Sequence, residues 1–104
     1  MATISKVDKV DATFTAADQV TGWISPYDAN PIHIIDMGIT GTSFVGTIML
    51  QKRQVINGVA TTEVDVESFT EDTQQMVEDP VPSVEYRLKC SAFTSGTAYV
   101  ELYK

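Results

Sequence analysis

The chain has 104 residues, 43% of them hydrophobic, and fourteen acidic against seven basic side chains give it a formal net charge of −7. This length predicts one domain that buries about 60–68% of the surface of its unfolded chain, which is enough for a single core. The acidic balance argues against nucleic-acid binding, which depends on clustered Lys and Arg, and no apolar run reaches the ~18 residues of a membrane helix.

The first nine residues are mostly polar and predict an N-terminal arm over residues 1–9, followed by a β domain over residues 10–104. The arm has no apolar segment of the kind that a secretion signal contains, so we expect no such signal.

Two short strands are predicted next. Val10, Ala12 and Phe14 alternate with polar residues, which is typical of a strand with one buried face. The segment 20–25 predicts a second strand that ends before a loop rich in turn-forming residues at 27–31.

A long β-rich stretch follows, with a strand predicted at 32–40, a turn at 40–42 and another strand at 44–55. Gly38 within the first of these strands indicates a bulge or a close approach of another backbone. A three-residue loop, Ile56 to Gly58, would form a hairpin that places Leu50 opposite Val64. The same hairpin would place Ile48 opposite Val66.

The C-terminal segment predicts a second hairpin, about a three-residue loop at 94–96. This register places Cys90 opposite Val100 and Leu88 opposite Leu102, so that one face is an unbroken apolar stripe. The connection at 70–82 is too long for a hairpin and favours a crossover between sheets. No stretch of ten residues has a helical period. The predicted fold is therefore all-β, a single-domain antiparallel β-sandwich or jelly-roll-like barrel of about seven short strands.

The sequence offers little chemistry. His33 is the only histidine and Cys90 the only cysteine, too few for a zinc site, and no nucleophile elbow is present. We expect His33 to face outward from a strand and Cys90 to be a small buried hydrophobic residue. The predictions are no enzymatic activity, no cofactor and no metal.

Seven acidic residues between positions 63 and 79 have no basic residue among them. The favoured interpretation is a solvent-exposed sheet face, with calcium binding or docking to a basic surface as alternatives. These residues are Glu63, Asp65, Glu67, Glu71, Asp72, Glu78 and Asp79.

Aromatic residues suggest where a partner could bind. Trp23 and Tyr27 flank a proline-containing loop and either stack on a sugar or belong to the core. Tyr99 and Tyr103 fall on the non-core face of the last predicted strand, which indicates a subunit contact or a second covered face. The candidate interface residues are Val7, Val10, Trp23, Tyr27, Tyr99 and Tyr103.

Three sequence features resemble a pattern of small virion proteins from tailed bacteriophages. The strand Phe44–Arg53 precedes a glycine turn, an acidic connection contains Glu78, Asp79 and Pro80, and a closing segment runs from Tyr86 to Leu102. The resemblance covers roughly residues 41–102 and implies a structural protein of the virion.

Within that class the resemblance favours a capsid decoration (cement) protein, made in the host bacterial cytoplasm, that stabilises the phage head from outside. It implies the major capsid protein as partner and a homo-oligomer, with a trimer favoured, and neither nucleic acid nor membrane as partner. The alternative is a tail, neck or fibre component that binds a tail protein or a host glycan. A small cell-wall enzyme and a free-standing cellular binding module rank below both.

Overall fold

The computed structural model describes residues 9–26 and 34–104. These residues form six strands and no helix, and every strand pair is antiparallel, which confirms the all-β prediction. The strands are β1 (Lys9–Phe14), β2 (Ile34–Ile56), β3 (Val59–Ala60), β4 (Val64–Phe69), β5 (Thr73–Glu78) and β6 (Val84–Tyr103).

Two long strands form the framework. β2 has 23 residues and β6 has 20, and they pair from Asp36 opposite Tyr103 to Gln54 opposite Val84. Three register shifts between Thr42 and Ile48 divide this ladder into two half-sheets. The first half-sheet has the order β1–β6–β2–β5. In the second half-sheet, β4 pairs with β2, and two isolated bridges attach the segment 20–24 to β6.

The predicted C-terminal hairpin is wrong, because β6 continues through residues 94–96 as one strand. Cys90 lies opposite Ile48 of β2, and Val100 lies opposite Ile39. The apolar stripe itself is buried as predicted, but it pairs with β2 rather than with itself. The turn predicted at 40–42 is also wrong, since β2 runs through these residues.

Glycines mark a bend in the two long strands, where the sequence suggested turns. Gly96 has a φ of 83° and Ser43 has a φ of 51°, both in the left-handed region. A Cβ at Gly96 would collide with the backbone carbonyl group of Ser43, and one at Gly46 would collide with the carbonyl oxygen of Ala92. The two backbones therefore approach too closely at Gly96 and Gly46 for either position to carry a Cβ.

The hairpin between β2 and β3 has a two-residue loop, so the predicted three-residue loop is wrong. Asn57 and Gly58 have φ angles of 51° and 81°, the conformation that Asn-Gly favours in tight hairpins. That loop alone would put Leu50 opposite Asp65, but the register shifts by one residue between β3 and β4 and by another between Leu50 and Gln51. Leu50 therefore lies opposite Glu67, and Ile48 lies opposite Phe69. Val64 and Val66, predicted to lie opposite Leu50 and Ile48, are 52% and 46% exposed on β4, which among the described residues pairs only with β2.

The predicted crossover at 70–82 does pass between half-sheets, but it contains a strand that the sequence analysis missed. β4 pairs with the second half-sheet and β5 with the first, so residues 70–72 make the crossing. Asp72 fixes this crossing at the bend by accepting hydrogen bonds from Thr40 Oγ1 (3.1 Å) and from the Gly41 amide (2.9 Å).

The segment 20–25, predicted to be a strand, makes only isolated bridges through Val20 and Ile24. The loop predicted at 27–31, His33 and residues 1–8 of the predicted arm lie outside the described residues.

Both half-sheets contribute to one hydrophobic cluster, which gives the domain its sandwich-like layers. Phe14, Leu88 and Leu102 are among its fully buried members, and the inward alternation predicted for the first strand is confirmed. Cys90 is fully buried, as predicted, and burial, with a smaller effect of the Asp18 charge, raises the pKa of its thiol.

A buried hydrogen bond holds the proline-rich connection between β5 and β6. Tyr86 Oη donates to Asp79 Oδ2 (2.6 Å), and the Val81 amide donates to Asp79 Oδ1 (3.0 Å). Burial, followed by the hydrogen bond to Asp79 and its negative charge, raises the pKa of Tyr86 well above its ordinary value. The folded protein therefore keeps this phenol neutral.

The bend can be tested with two alanine substitutions at glycines of similar φ. Gly96→Ala should lower the free energy of unfolding by about 2–5 kcal/mol, since backbone strain and a collision with Ser43 add. At Gly58 no atom lies within 4 Å of an added Cβ, so Gly58→Ala should lower the free energy of unfolding only through backbone strain, by about 1–2 kcal/mol. Chemical denaturation measures both. Equal losses would contradict a close backbone contact at the bend.

Tyr86→Phe should lower the free energy of unfolding by about 1–3 kcal/mol at pH 7, because it leaves Asp79 Oδ2 without its buried donor. Tyr103→Phe, which removes the hydroxyl of a half-exposed tyrosine, should change the free energy of unfolding by less than about 0.5 kcal/mol.

The stability difference between wild type and Tyr86→Phe should also depend on pH. Above pH ~10 only the unfolded chain ionises Tyr86, so the free energy of unfolding of the wild type falls and its advantage over Tyr86→Phe shrinks. A constant advantage from pH 7 to 11, measured by urea denaturation, would show that the phenol is not held neutral.

Candidate functional site

The outer face of the first half-sheet is the most exposed aromatic surface among the described residues. Alternation puts the apolar members of β1, β2 and β6 in the core, so their intervening residues point outward and align in rows across the strands. We call these residues the tyrosine face. Its first row is Lys9, Tyr103, Asp36 and Met76; its middle row is Asp11, Glu101, Gly38 and Gln74; its third row is Thr13, Tyr99 and Thr40.

The tyrosine face has exposed apolar side chains on both sides of a lower centre. Tyr99 is 48% exposed, Tyr103 51% and Met76 66%. Between them, Gly38 contributes no side chain, and two adjoining depressions of about 500 and 410 Å³ share Gly38 and Glu101 in their walls. The middle row therefore forms a shallow trough between the two tyrosines.

The fold does not require a glycine at position 38. A Cβ there would lie 3.6 Å from Glu101 Cγ, an ordinary van der Waals contact, and the backbone φ is not positive. Glycine within a strand costs stability, on the order of 0.5–1 kcal/mol relative to alanine. The open trough is thus a property that folding alone does not explain.

The trough is negatively charged. Asp11 and Glu101 lie directly opposite each other on β1 and β6, an arrangement of like charges that destabilises a sheet. Lys9 forms an ion pair with Asp11 at 3.3 Å, but both side chains are largely exposed, so solvent screens the pair. Within the described part of the chain, the carboxylates of Glu101 and Asp36 have no hydrogen-bond or ion-pair partner.

The outer face of the second half-sheet is different, because its polar groups bind one another. The guanidinium carbons of Arg53 and Arg87 lie 4.3 and 4.5 Å from the centre of the Trp23 ring. Gln51, which is buried, accepts a hydrogen bond from Arg87 Nε (3.0 Å) and donates one to Asp65 (2.8 Å). We call Trp23, Arg53, Arg87 and Gln51 the tryptophan cluster.

Of the seven acidic residues between 63 and 79, Asp65 and Glu67 are exposed on β4, as favoured, but the seven do not form a single patch. Glu63 lies 3.5 Å from Arg87, Glu67 accepts a hydrogen bond from Gln75, and Asp79 is buried under Tyr86. No three His, Cys, Asp or Glu side chains in residues 9–26 and 34–104 are grouped so that they could hold a metal ion.

Of the predicted interface residues, the structure places Tyr99 and Tyr103 together on one exposed face. Val10 packs against the core, and Trp23 is half-buried beneath the two arginines. Val7 and Tyr27 lie outside the described residues.

Glu101, Asp36 and Met76 were not predicted from the sequence as part of a site, and Gly38 was predicted only to mark a bulge or a close approach of another backbone. The alternation of Tyr99, Glu101 and Tyr103 was a usable signal for a shared face. Their position beside Gly38 depends on the register between β2 and β6, which the hairpin prediction had excluded.

A scan against protein-family models found no match, and a search of curated proteins found no significantly similar sequence. In the described part of the chain, no helix is long and apolar enough to cross a membrane. Function is therefore inferred from the sequence motifs and the geometry of the exposed faces.

The tryptophan cluster can be tested through the chain's single tryptophan. Arg87→Gln should lower the free energy of unfolding by about 1–3 kcal/mol and make Trp23 fluorescence easier to quench with acrylamide, because it removes a ring contact and a hydrogen bond to Gln51. The matched control is Lys89→Gln, which removes one surface ion pair two residues away and should change stability by less than about 0.5 kcal/mol. Unchanged quenching in Arg87→Gln would contradict the stacking.

Proposed function

We propose that this protein is a structural component of a tailed-bacteriophage virion and, within that class, a capsid decoration protein that binds the outside of the head. The resemblance of residues 41–102 to small virion proteins supports this class, and an all-β sandwich-like domain is compatible with it. The proposed role is non-enzymatic.

The observation that carries the proposal is the tyrosine face, an open sheet surface with a shallow trough and exposed aromatic and methionine side chains. Sites for small molecules are typically concave and enclose most of their ligand, whereas the depressions here are shallow and open. Aromatic residues and Met are enriched at protein–protein interfaces. A sheet face fixed by ladders on both sides needs little ordering when it binds, which favours a stable contact.

The proposed partner is the major capsid protein. A contact of about 800 Å² on each side would be sufficient for specific binding, and repetition around a symmetry axis would strengthen it through avidity. The polar N-terminal segment that carries Val7 is proposed to add to this contact.

We further propose a homo-oligomer, with a trimer favoured, placed at symmetry axes of the shell. Among the described residues, β1 pairs only with β6 and β5 only with β2, so each has one edge without a neighbouring strand. Such edges offer backbone hydrogen-bonding groups that a second copy can cover. The trimer would use these edges and leave the tyrosine face free for the capsid.

The alternative is a tail, neck or fibre component. A version that binds a tail protein would use the same tyrosine face. A version that binds a host glycan would need an open tryptophan ring, and Arg53 and Arg87 already lie over Trp23, so a sugar would compete with the protein's own cations. The geometry therefore favours a protein partner over a glycan.

The copy number of this protein in purified particles of the phage that encodes it tests the proposal. Quantitative mass spectrometry against the major capsid protein should find on the order of hundreds of copies, in fixed ratio to the shell subunit, because a decoration protein follows the symmetry of the shell. A dozen copies or fewer would assign it to the tail or neck. Absence from the particle would refute a virion role altogether.

A further inference from the structure

The middle row of the tyrosine face departs from what sheet stability favours in three ways. Gly38 interrupts a central strand although a Cβ would fit, Asp11 lies opposite Glu101, and two tyrosines are exposed on either side. Each departure lowers stability or solubility, and all three meet at one trough. Departures from local rules that converge in this way are expected where a surface binds something.

The chemistry of the trough suits a guanidinium group. Tyr99, Glu101 and Tyr103 alternate along β6, so a carboxylate residue stands between two tyrosines whose Cα atoms lie about 6.8 Å on either side of its own along the strand. Arginine pairs bidentately with carboxylates and stacks on aromatic faces, whereas lysine offers only a compact point charge. The Glu101 side chain leans toward Gly38, with Cγ 3.6 Å and Oε1 3.9 Å from the position of an added Cβ, so its carboxylate borders the depression above the glycine.

Charge repulsion argues against the tyrosine face of a second copy as the binding partner of this face. In a symmetric contact, Asp11, Asp36 and Glu101 of one copy would meet the same three acids of the other, with Lys9 as the only basic residue of the face. A basic partner instead would neutralise unpartnered carboxylates as it covers the tyrosines.

We propose that the tyrosine face is a docking site for an extended, arginine-bearing segment of another protein. An arginine side chain lies in the trough over Gly38, its guanidinium group bound to Glu101 and stacked against Tyr99 or Tyr103. That this segment belongs to a capsid protein rests on the proposed function, but the arginine chemistry does not.

The test is a titration of the ¹⁵N-labelled full chain with a capped peptide in which arginine and threonine alternate, followed by NMR. Amide shifts should concentrate at Gly38, Gln74, Tyr99, Glu101 and Tyr103. The same peptide with citrulline, a neutral isostere of arginine, should bind at least about tenfold more weakly, because the charge-assisted hydrogen bonds are lost. A lysine version should bind less tightly than the arginine peptide.

Two variants locate the site on the protein. Glu101→Gln should weaken the arginine peptide about tenfold or more, since it removes the carboxylate that the guanidinium binds. Gly38→Val should weaken it by a similar factor by filling the trough, while thermal stability stays level or rises, because valine is favoured in strands. The matched control, Glu71→Gln, removes an exposed acid outside the face and should stay within about twofold of wild type.

Two results would overturn the inference. If Glu71→Gln weakens binding as much as Glu101→Gln does, the peptide is attracted by net charge alone. If sedimentation shows self-association that Gly38→Val abolishes, the face is a contact between copies. Neither result bears on the copy number in particles, so a failed peptide titration leaves the virion proposal standing, and a protein missing from particles leaves the arginine site standing.

Discussion

The close contact between the backbones of Gly96 and Ser43 is the constraint on which the rest of the fold depends. A strand of 23 residues like β2 would span about 75 Å if it were straight, whereas the longest dimension of the protein is 44 Å. The long strands must therefore bend, and they bend where glycines let their backbones meet. Because both strands bend at the same level, the apolar faces of the two half-sheets pack into one cluster.

The bend also determines what the outer faces present. The register shifts fix Gly38 opposite Glu101 in the first half-sheet and Gln51 opposite Arg87 in the second. A one-residue slip in either half would move these side chains into the core, since successive residues of a strand point to opposite faces. The trough between the tyrosines and the hydrogen-bonded tryptophan cluster are thus consequences of one ladder, so changes at the bend should affect both faces.

Alternating residues revealed most of the buried side chains, though not the exposure of Val64 and Val66, and they did not reveal which strands pair. Phe14, Cys90 and Leu102 were correctly expected in the core, because alternation depends on burial alone. The segment 94–96 suggested a hairpin, because a glycine with positive φ serves a tight turn and a strand bend equally well. The shared face of Tyr99 and Tyr103 was likewise predictable from spacing. Its neighbours Gly38 and Met76 come from strands distant in sequence, so their position follows from pairings that local pattern does not encode.

The two outer faces differ in how completely their polar groups are hydrogen-bonded or ion-paired within the chain. The face with satisfied groups contributes to stability, and the face with unsatisfied groups is suited to binding. In the tryptophan cluster, Arg87 contacts an aromatic ring, an amide and a carboxylate, so the cluster's bonding capacity is used within the chain. On the tyrosine face, Glu101 has no partner in the described residues and stands beside a glycine that the fold does not need. Both faces lie on the same two long strands, so the contrast does not arise because one face belongs to edge strands and the other to central strands. A surface that leaves a carboxylate such as that of Glu101 unpaired, where the fold could have covered it, retains binding capacity for another molecule.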